Sequence, residues 1–345
     1  MSTTPAEAEA MRRALVLAAT PGVPLGPNPR VGCVILAPDG TRVGEGHHRG
    51  AGTPHAEVAA LADAGERARG ATAVVTLEPC RHTGRTGPCT EALLAAGVRR
   101  VVHAEPDPTA EAAGGAAALA AAGVEVEGGL LAGEAYALND AWHFGLQHGR
   151  PFVRWKFATT LDGRSAAADG TSRWVSSRPA RLDTHRLRGQ ADVMMVGSST
   201  VAVDDPALTV RDADERPLAH QPLRVVVGRR DLPAERDVFD STAETVQLRT
   251  HDLDAVLADL FARGRRSVFL EGGPTLAAAF VRAGLVDEVV TYVAPMLLGG
   301  GRSAVGDLGI TTIAEALHLR ITDITTLGED EETNVRITMT ATGAA

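Results

Sequence analysis

Aromatic residues make up only 3% of this 345-residue sequence, and alanine fills much of the apolar fraction instead. Positive charge is also scarce. Thirty-four Lys and Arg against 43 Asp and Glu leave a net charge of −9, which excludes the broad basic stripe of a nucleic-acid footprint. A few local Arg residues can still hold a small phosphorylated substrate. The 3 cysteines are too few, and odd in number, for a disulfide framework, which fits a reducing cytoplasm. No apolar run approaches the ~18 residues that cross a bilayer, so no membrane partner is expected. Met1–Ala10 carries acidic residues where a secretory signal would be basic and then apolar. The rest is an ordinary globular composition, 44% hydrophobic and 22% charged, with length for about two domains.

Against this plain background one stretch stands out. His55-Ala56-Glu57 is followed by Thr76-Leu77-Glu78-Pro79-Cys80 and then Cys89. One imidazole and two thiolates make a three-ligand set that leaves the fourth tetrahedral position on Zn²⁺ open, as catalytic zinc requires. Such a metal lowers the pKa of bound water from 15.7 to about 7. Glu57, two residues beyond the first ligand, is placed to move protons without holding metal. His-x-Glu with a later Pro-Cys and Cys is the signature of zinc-dependent nucleobase deaminases. The usual spacing is Pro-Cys-x-x-Cys, whereas here Cys80 and Cys89 enclose a longer loop with His82 and Arg85, suited to a polar or phosphorylated substrate. Cys33 lies in the apolar run Val31–Leu36 and reads as a buried strand residue.

In chain order the first half alternates helix and strand, the mark of a layered α/β domain. Helices are expected at Glu7–Ala19, from Pro54 to about Arg69, at Thr90–Ala96, at Ala110–Ala122, and as one closing helix at Leu130–Leu146. Strands are expected at Val31–Leu36, Val43–His47, Ala71–Leu77, Val98–Ala104 and Val124–Glu127. Pro54 suits the first turn of its helix, with His55 at the N-terminus.

The polar turn His148-Gly149-Arg150-Pro151 marks the expected seam, giving domains 1–148 and 149–345. Beyond it α/β alternation begins afresh without self-similarity, so two different domains are expected. Glu271-Gly272-Gly273-Pro274 opens a helix, where unpaired N–H groups can receive an anion; by itself it is better explained as a tight turn. No Gly-x-Gly-x-x-Gly appears, so a Rossmann fold is not supported.

Taken together the motifs resemble one family. Asn28-Pro29-x-Val31-Gly32, His55-Ala56-Glu57-Val58 and the Thr76–Cys89 segment are similar to the deaminase half of the bifunctional riboflavin-biosynthesis deaminase/reductases. Lys156-x-Ala158-x-x-Leu161-Asp162-Gly163-Arg164, Ser172-x-Trp174, Gly197-x-x-Thr200-Val201-x-x-Asp204-Asp205-Pro206, Glu271-x-Gly273-Pro274 and Ala294-Pro295-x-Leu297-Leu298-Gly299 follow in the order of its reductase half. The resemblance covers nearly the whole chain. It implies a cytidine-deaminase-like three-layer α/β domain followed by a dihydrofolate-reductase-like α/β domain, Zn²⁺ and NADPH as cofactors, and a homo-oligomer. The implied reactions are hydrolytic deamination of a diaminopyrimidinone carrying a ribosylamino 5′-phosphate, then reduction of the ribosyl group to a ribityl chain. A deaminase of another base, such as free cytosine or tRNA adenosine, would leave the second half unexplained, and a non-catalytic zinc-binding module with the second half as a scaffold would release no ammonia and oxidise no NADPH.

By resemblance His55, Cys80 and Cys89 fall on the zinc ligands and Glu57 on the proton donor. Asn28, His82 and Arg85 fall on base and phosphate contacts. Ser172, Arg188, Leu208, Arg211 and Glu271 match substrate-side positions. Ala158, Trp174, Thr200, Asp204 and the run Gly273, Pro274, Thr275, Leu276, Ala277, Ala278, Ala279 match cofactor-side positions. Lys156 and Glu271 are the polar groups expected near the carbon that receives hydride. Four departures stand out: Arg81 for Ser, His47 for an aromatic, Thr109 for Asn, and Gly228-Arg229 for Asp-Ser. At the last, Arg229 either reaches the 2′-phosphate of NADPH or merely solvates a loop before Pro233.

Overall fold

The structure is a computed structural model that describes residues 3–24, 26–82 and 87–341. The chain divides into two compact units, Met1–His143 and Phe144–Ala345, and the division falls inside a helix.

The first unit contains, in order, α1 (Pro5–Ala18), β1 (Gly32–Leu36), β2 (Arg42–His47), α2 (Ala56–Ala64), β3 (Thr72–Leu77), α3 (Cys89–Ala95), β4 (Arg100–Glu105), α4 (Gly115–Ala121), β5 (Glu125–Gly128) and α5 (Ala132–Leu138); α6 (Asp140–His148) leads out of it. Its sheet runs β2-β1-β3-β4-β5, antiparallel at β2/β1/β3 and parallel from β3 to β5. Alternation along the strands builds two cores. Cys33, Ile35, Ala73, Val75 and Val101 face α2, α3 and α4 through Ala60, Leu93 and Leu119. Val34, Leu36, Val74, Val102 and Ala104 face α1 and α5 through Met11, Ala14 and Ala135. The result is a three-layer sandwich. Cys33 is fully buried, and burial pushes its thiol well up.

Small residues set the spacing of these layers. A Cβ on Gly32 would lie 2.0 Å from the carbonyl oxygen of Ala14 in α1, so only glycine lets the helix close on the strand. The start of α1 is tied by a capping box between Thr4 and Glu7, and Glu7 also takes Arg100 Nε at 2.7 Å.

The second unit contains β6 (Phe152–Thr160), β7 (Arg164–Ala166), α7 (Arg178–Arg188), β8 (Val193–Gly197), α8 (Ser198–Asp204), β9 (Leu223–Val227), β10 (Thr245–Leu248), α9 (Leu253–Ala262), β11 (Ser267–Leu270), α10 (Pro274–Arg282), β12 (Glu288–Ala294), β13 (Arg302–Ser303), β14 (Leu319–Leu327) and β15 (Asn334–Ala341). An eight-stranded sheet runs β10-β9-β8-β11-β6-β12-β15-β14. It is parallel as far as β12, after which β15 and β14 run antiparallel. One face packs on α9 and α10 through Leu257, Leu260 and Phe280. The other packs on α7 and α8 through Ala180, Leu187 and Val201.

Several expectations need correction. The closing helix Leu130–Leu146 is two helices, because Asn139 between them spends its side-chain amide on the backbone N–H and C=O of Arg30, at 2.8 and 3.0 Å. The helix expected from Ala110 starts only at Gly115; before it Asp107 Oδ1 accepts from Thr109 N and Oγ1 in a tight turn. Pro54 stands just outside α2, whose N-cap is His55. Six further elements carried no readable signal: β7, α7, α8, β10, β13 and β14.

Gly32→Ala is expected to overpack the α1–β1 contact and cost about 1–3 kcal/mol or more. Thermal unfolding of the first unit should shift down accordingly; an unchanged midpoint would mean that α1 is not seated on β1.

Candidate active sites

In the first unit the strand ends meet the start of a helix. β3 delivers Cys80 three residues beyond its last residue, α3 begins at Cys89, and α2 begins directly after His55. The donor atoms of His55, Cys80 and Cys89 lie within 4.8 Å of one another. His55 Nδ1 is 3.2 Å from Cys89 Sγ and 3.5 Å from Cys80 Sγ. Two soft sulfurs and one imidazole nitrogen, converging and buried or half-buried, are a donor set that fits Zn²⁺. A hydrogen bond from Cys89 is the leading cause that lowers Cys80 to about 4, while the same contact pushes Cys89 up. The pair thus shares one proton, which a divalent cation would displace. Hydrogen bonding to Cys80 raises His55.

Glu57 sits in the first turn of α2, only 4% exposed. Burial lifts its carboxyl to about 7, against the opposing pull of its own backbone N–H and of His55. A carboxyl with that pKa can both give and take a proton at neutral pH.

Neighbouring side chains hold this arrangement in place. Asn28 Nδ2 lies 3.0 Å from His48 Nε2, and His48 Nδ1 is 3.1 Å from the Pro54 carbonyl oxygen. With the Nδ1 proton donated to Pro54, His48 Nε2 accepts from Asn28, and Asn28 Oδ1 remains as the acceptor. His48 also meets the His55 ring edge to face at 5.3 Å. Burial lowers the His48 pKa, which keeps the ring neutral as that role needs. His48 was missed from the sequence, where only its neighbour His47 drew notice. Glu78, also missed, accepts from Asp107 N and Ala116 N at 3.1 and 2.8 Å and so braces the chain before Cys80. His82 Nδ1 is buried with no partner among the described residues. Arg85 lies outside the described residues.

The second unit has a charged cluster and a cleft. Arg188, at the end of α7, pairs both Glu271 oxygens: Nε to Oε1 at 2.6 Å and Nη2 to Oε2 at 2.8 Å. Burial alone would raise Glu271, but Arg188 and then Lys156 outweigh it and hold the carboxyl at about 2. Burial lowers Lys156, with Glu271 opposing; its ammonium stands 5.5 Å from the centre of the Tyr292 ring. Arg188 Nη1 also donates to Thr209 O at 3.0 Å, next to the buried Leu208, and Arg211 Nε reaches Thr209 Oγ1 at 2.9 Å. Lys156, Arg188, Glu271, Leu208 and Arg211 therefore come together. Ser172 and Trp174 are exposed; Trp174 stacks under Arg181 at 4.4 Å.

The cleft measures about 560 Å³ along the C-terminal ends of β8, β9 and β11. Thr200, Asp204, Gly273, Pro274, Thr275, Leu276 and Ala279 line it. Thr200 Oγ1 accepts from Gly273 N at 3.0 Å. Ala277 and Ala278 are buried in the core instead, and Ala158 packs beside the core on β6. Arg229 is exposed and is not among the lining residues; Gly228 and His251 are. Gly228 has φ +131°, and a Cβ there would meet Ser198 Oγ at 2.3 Å, so no side chain fits. His251 had no signal in the sequence, since its place beside Gly228 depends on β9 pairing with β10. A cleft of this size, floored by a Gly-Gly-Pro turn at a helix start, fits a nicotinamide nucleotide.

Fold and site together define a two-unit enzyme, a cytidine-deaminase-like zinc deaminase followed by a dihydrofolate-reductase-like reductase. The family described as the cytidine and deoxycytidylate deaminase zinc-binding region matches residues 5–105, and the RibD C-terminal domain matches residues 151–331. The riboflavin biosynthesis protein RibD of Mycobacterium tuberculosis is 50% identical over 88% of this chain and 89% of its own; that of Escherichia coli is 42% identical over 93% and 96%. A solved Acinetobacter baumannii RibD superposes with a TM-score of 0.87 at 38% identity, covering 98% of this chain and 99% of its own. A Thermotoga maritima diaminohydroxyphosphoribosylaminopyrimidine deaminase/5-amino-6-(5-phosphoribosylamino)uracil reductase scores 0.86 at 28% identity with the same coverage. The chain belongs to the RibD family of bifunctional riboflavin-biosynthesis enzymes, with a zinc-dependent deaminase and an NADPH-dependent reductase on one polypeptide.

Metal analysis should find one zinc per chain. Cys33→Ser should retain it, because Cys33 faces the helical core, and Cys80→Ser should lose most of it. Zinc loss from the first variant, or full retention in the second, would contradict the ligand set.

Proposed function

We propose that the first unit deaminates 2,5-diamino-6-ribosylamino-4(3H)-pyrimidinone 5′-phosphate and that the second reduces 5-amino-6-(5-phosphoribosylamino)uracil to the ribitylamino product. The observation that carries this reading is the convergence of His55, Cys80 and Cys89 beside a buried Glu57 whose carboxyl is poised near neutrality. Zinc held by the three ligands supplies Lewis-acid activation of water. Glu57 takes one proton from the water and passes it to the ring nitrogen, then takes the second from the hydroxyl added at the reacting carbon and passes it to the amine, which leaves as ammonia while the C=O forms. Asn28 Oδ1, oriented by His48, accepts from the base, and His82 and Arg85 serve the polar end of the substrate.

In the second unit NADPH supplies the hydride. Thr200, Asp204, Gly273, Pro274, Thr275, Leu276 and Ala279 line the cleft that would hold it, Ala277 and Ala278 pack the core behind them, and Ala158 and Trp174 are retained on the cofactor side. Arg229, exposed and off the cleft lining, is retained as a candidate for the 2′-phosphate, and His251 on the lining is a second one. Lys156 is the proton-bearing group nearest the reacting end. Glu271 stays ionised and fixes Arg188, which with Ser172, Leu208 and Arg211 faces the substrate. A carboxylate held at about 2 does not act as the acid at neutral pH, so that part falls to Lys156.

We place the domains at 1–148 and 149–345, which keeps α6, the helix inside which the compact units divide, whole with the first. The substrate is a small phosphorylated pyrimidine, and the net charge of −9 argues against nucleic acid. No described helix is long and apolar enough to cross a membrane, and the three unpaired cysteines suit the cytoplasm. Assembly as a homo-oligomer, a dimer or tetramer, is supported by the edge strand β14, which leaves Leu319, Ile321 and Ile324 40–60% exposed.

Glu57→Gln should keep zinc and lose ammonia release by about 10²–10⁴-fold, while reduction of supplied deaminated intermediate stays at the wild-type rate. Wild-type deamination by this variant would refute the assigned role. A truncation starting at Gly149 should bind NADPH and reduce the intermediate; an inert truncation beside an active full chain would place the seam elsewhere.

A further inference from the structure

Arg224 lies on β9 with its side chain fully buried, and neither site described above uses it. Its guanidinium is almost fully spent on acceptors from the chain that loops over the sheet. Nε donates to Thr245 Oγ1 at 2.8 Å, and Nη1 to the Ala207 carbonyl at 3.1 Å and to Asp240 Oδ1 at 2.9 Å. Nη2 donates to the carbonyls of Asp240 and Ala243, both at 2.6 Å. Burying a cation is costly unless it is paired and hydrogen-bonded in this way. A hydrophobic residue at this inward position would fill the core more cheaply, so the charge has to be explained by what it holds.

Ala207 is the informative partner. It lies between Asp205 and Leu208, two non-glycine residues with left-handed backbones, φ 42° and 50°. Such residues persist only where their surroundings over-determine them. The segment is gripped at two further points: Asp205 Oδ1 accepts from Asp237 N at 3.0 Å, and the Thr209 carbonyl accepts from Arg188 at 3.0 Å. Just before the segment's strained turn, Asp204 lines the cleft. Leu208 at the turn's end and Arg211 beyond it flank the Thr209 carbonyl held by the guanidinium that pairs Glu271.

We propose that Arg224 is a positioning residue for the reduction: by clamping the Ala207 carbonyl it sets the path of residues 204–211, placing Asp204 at the cofactor cleft and Leu208 and Arg211 beside the Arg188–Glu271 pair. This rests on the reading of the second unit as an NADPH-dependent reductase. Lysine cannot reproduce the planar fork, although it keeps the charge.

The test uses the full chain with Arg224→Lys and Arg224→Met, well below their melting transitions. NADPH affinity is measured by titration calorimetry, kcat and KM with supplied deaminated intermediate, and ammonia release as a control from the other unit. Losing a charge-assisted hydrogen bond is worth roughly tenfold or more. Arg224→Met should therefore raise the NADPH dissociation constant and KM by about that factor, Arg224→Lys should restore part of it, and ammonia release should not change. A role in stability alone would lower the melting temperature and leave affinity and KM at wild-type values, and that result in either folded variant overturns the proposal. If Arg224→Met does not fold, Arg224→Lys decides on the same criterion. Failure of the wild-type chain to bind NADPH would instead refute the reductase reading.

Discussion

The imidazole of His55 reaches the sulfurs of Cys80 and Cys89 because the sheet holds the start of α2 over the C-terminal end of β3. That placement depends on the antiparallel register of β1 on β3, which pairs Cys33 with Val75 and Val34 with Val74. A one-residue slip would exchange the two faces of β1 and turn its α2-facing residues toward α1. Gly32 permits the close seat of α1 behind the sheet, and the small side chains Ala56, Ala60 and Ala64 let α2 lie in front of it. The zinc ligands are thus carried by packed backbone, the condition under which donor atoms keep their spacing without metal.

Two glutamates, Glu57 buried and Glu271 largely so, show how environment divides one functional group into two roles. Glu57 has burial without a strong cationic partner, and its carboxyl rises to about 7. Glu271 is also shielded from water, but Arg188 grips both of its oxygens and Lys156 adds a second positive charge, so it falls to about 2. The first is suited to carry protons and the second to carry charge and fix geometry. Removing Arg188 would strip Glu271 of its bidentate partner and leave only Lys156 to oppose its charge, a costly loss for a largely buried carboxylate.

The legible part of the sequence was the part with short-range pattern. The strands of the first sheet alternate or run apolar, His-x-Glu and Pro-Cys sit next to one another in the chain, and the Gly-Gly-Pro turn marks a helix start. α7 was not legible because its sequence, RPARLDTHRLR, buries only Ala180, Thr184 and Leu187 and reads as a charged loop. β14 was hidden by the irregularity between Ile321 and Asp323, which breaks its period of two. Asn139 interrupts an otherwise helical run for the sake of Arg30, 109 residues earlier.

The sequence by itself determined the class of chemistry, since the residue types able to bind zinc and move protons are few and their local order is distinctive. It also determined that two unlike α/β units follow one another, because hydrophobic period is a local property. Only the tertiary structure decided which groups meet: His48 behind Asn28, Glu78 bracing the chain before Cys80, Arg188 on Glu271, His251 beside Gly228, and Arg224 beneath Ala207. Each of these brings together residues whose own sequence surroundings say nothing of the partner. Their pairing is set by strand order and helix placement, and the protonation states that follow exist only once water has been excluded around them.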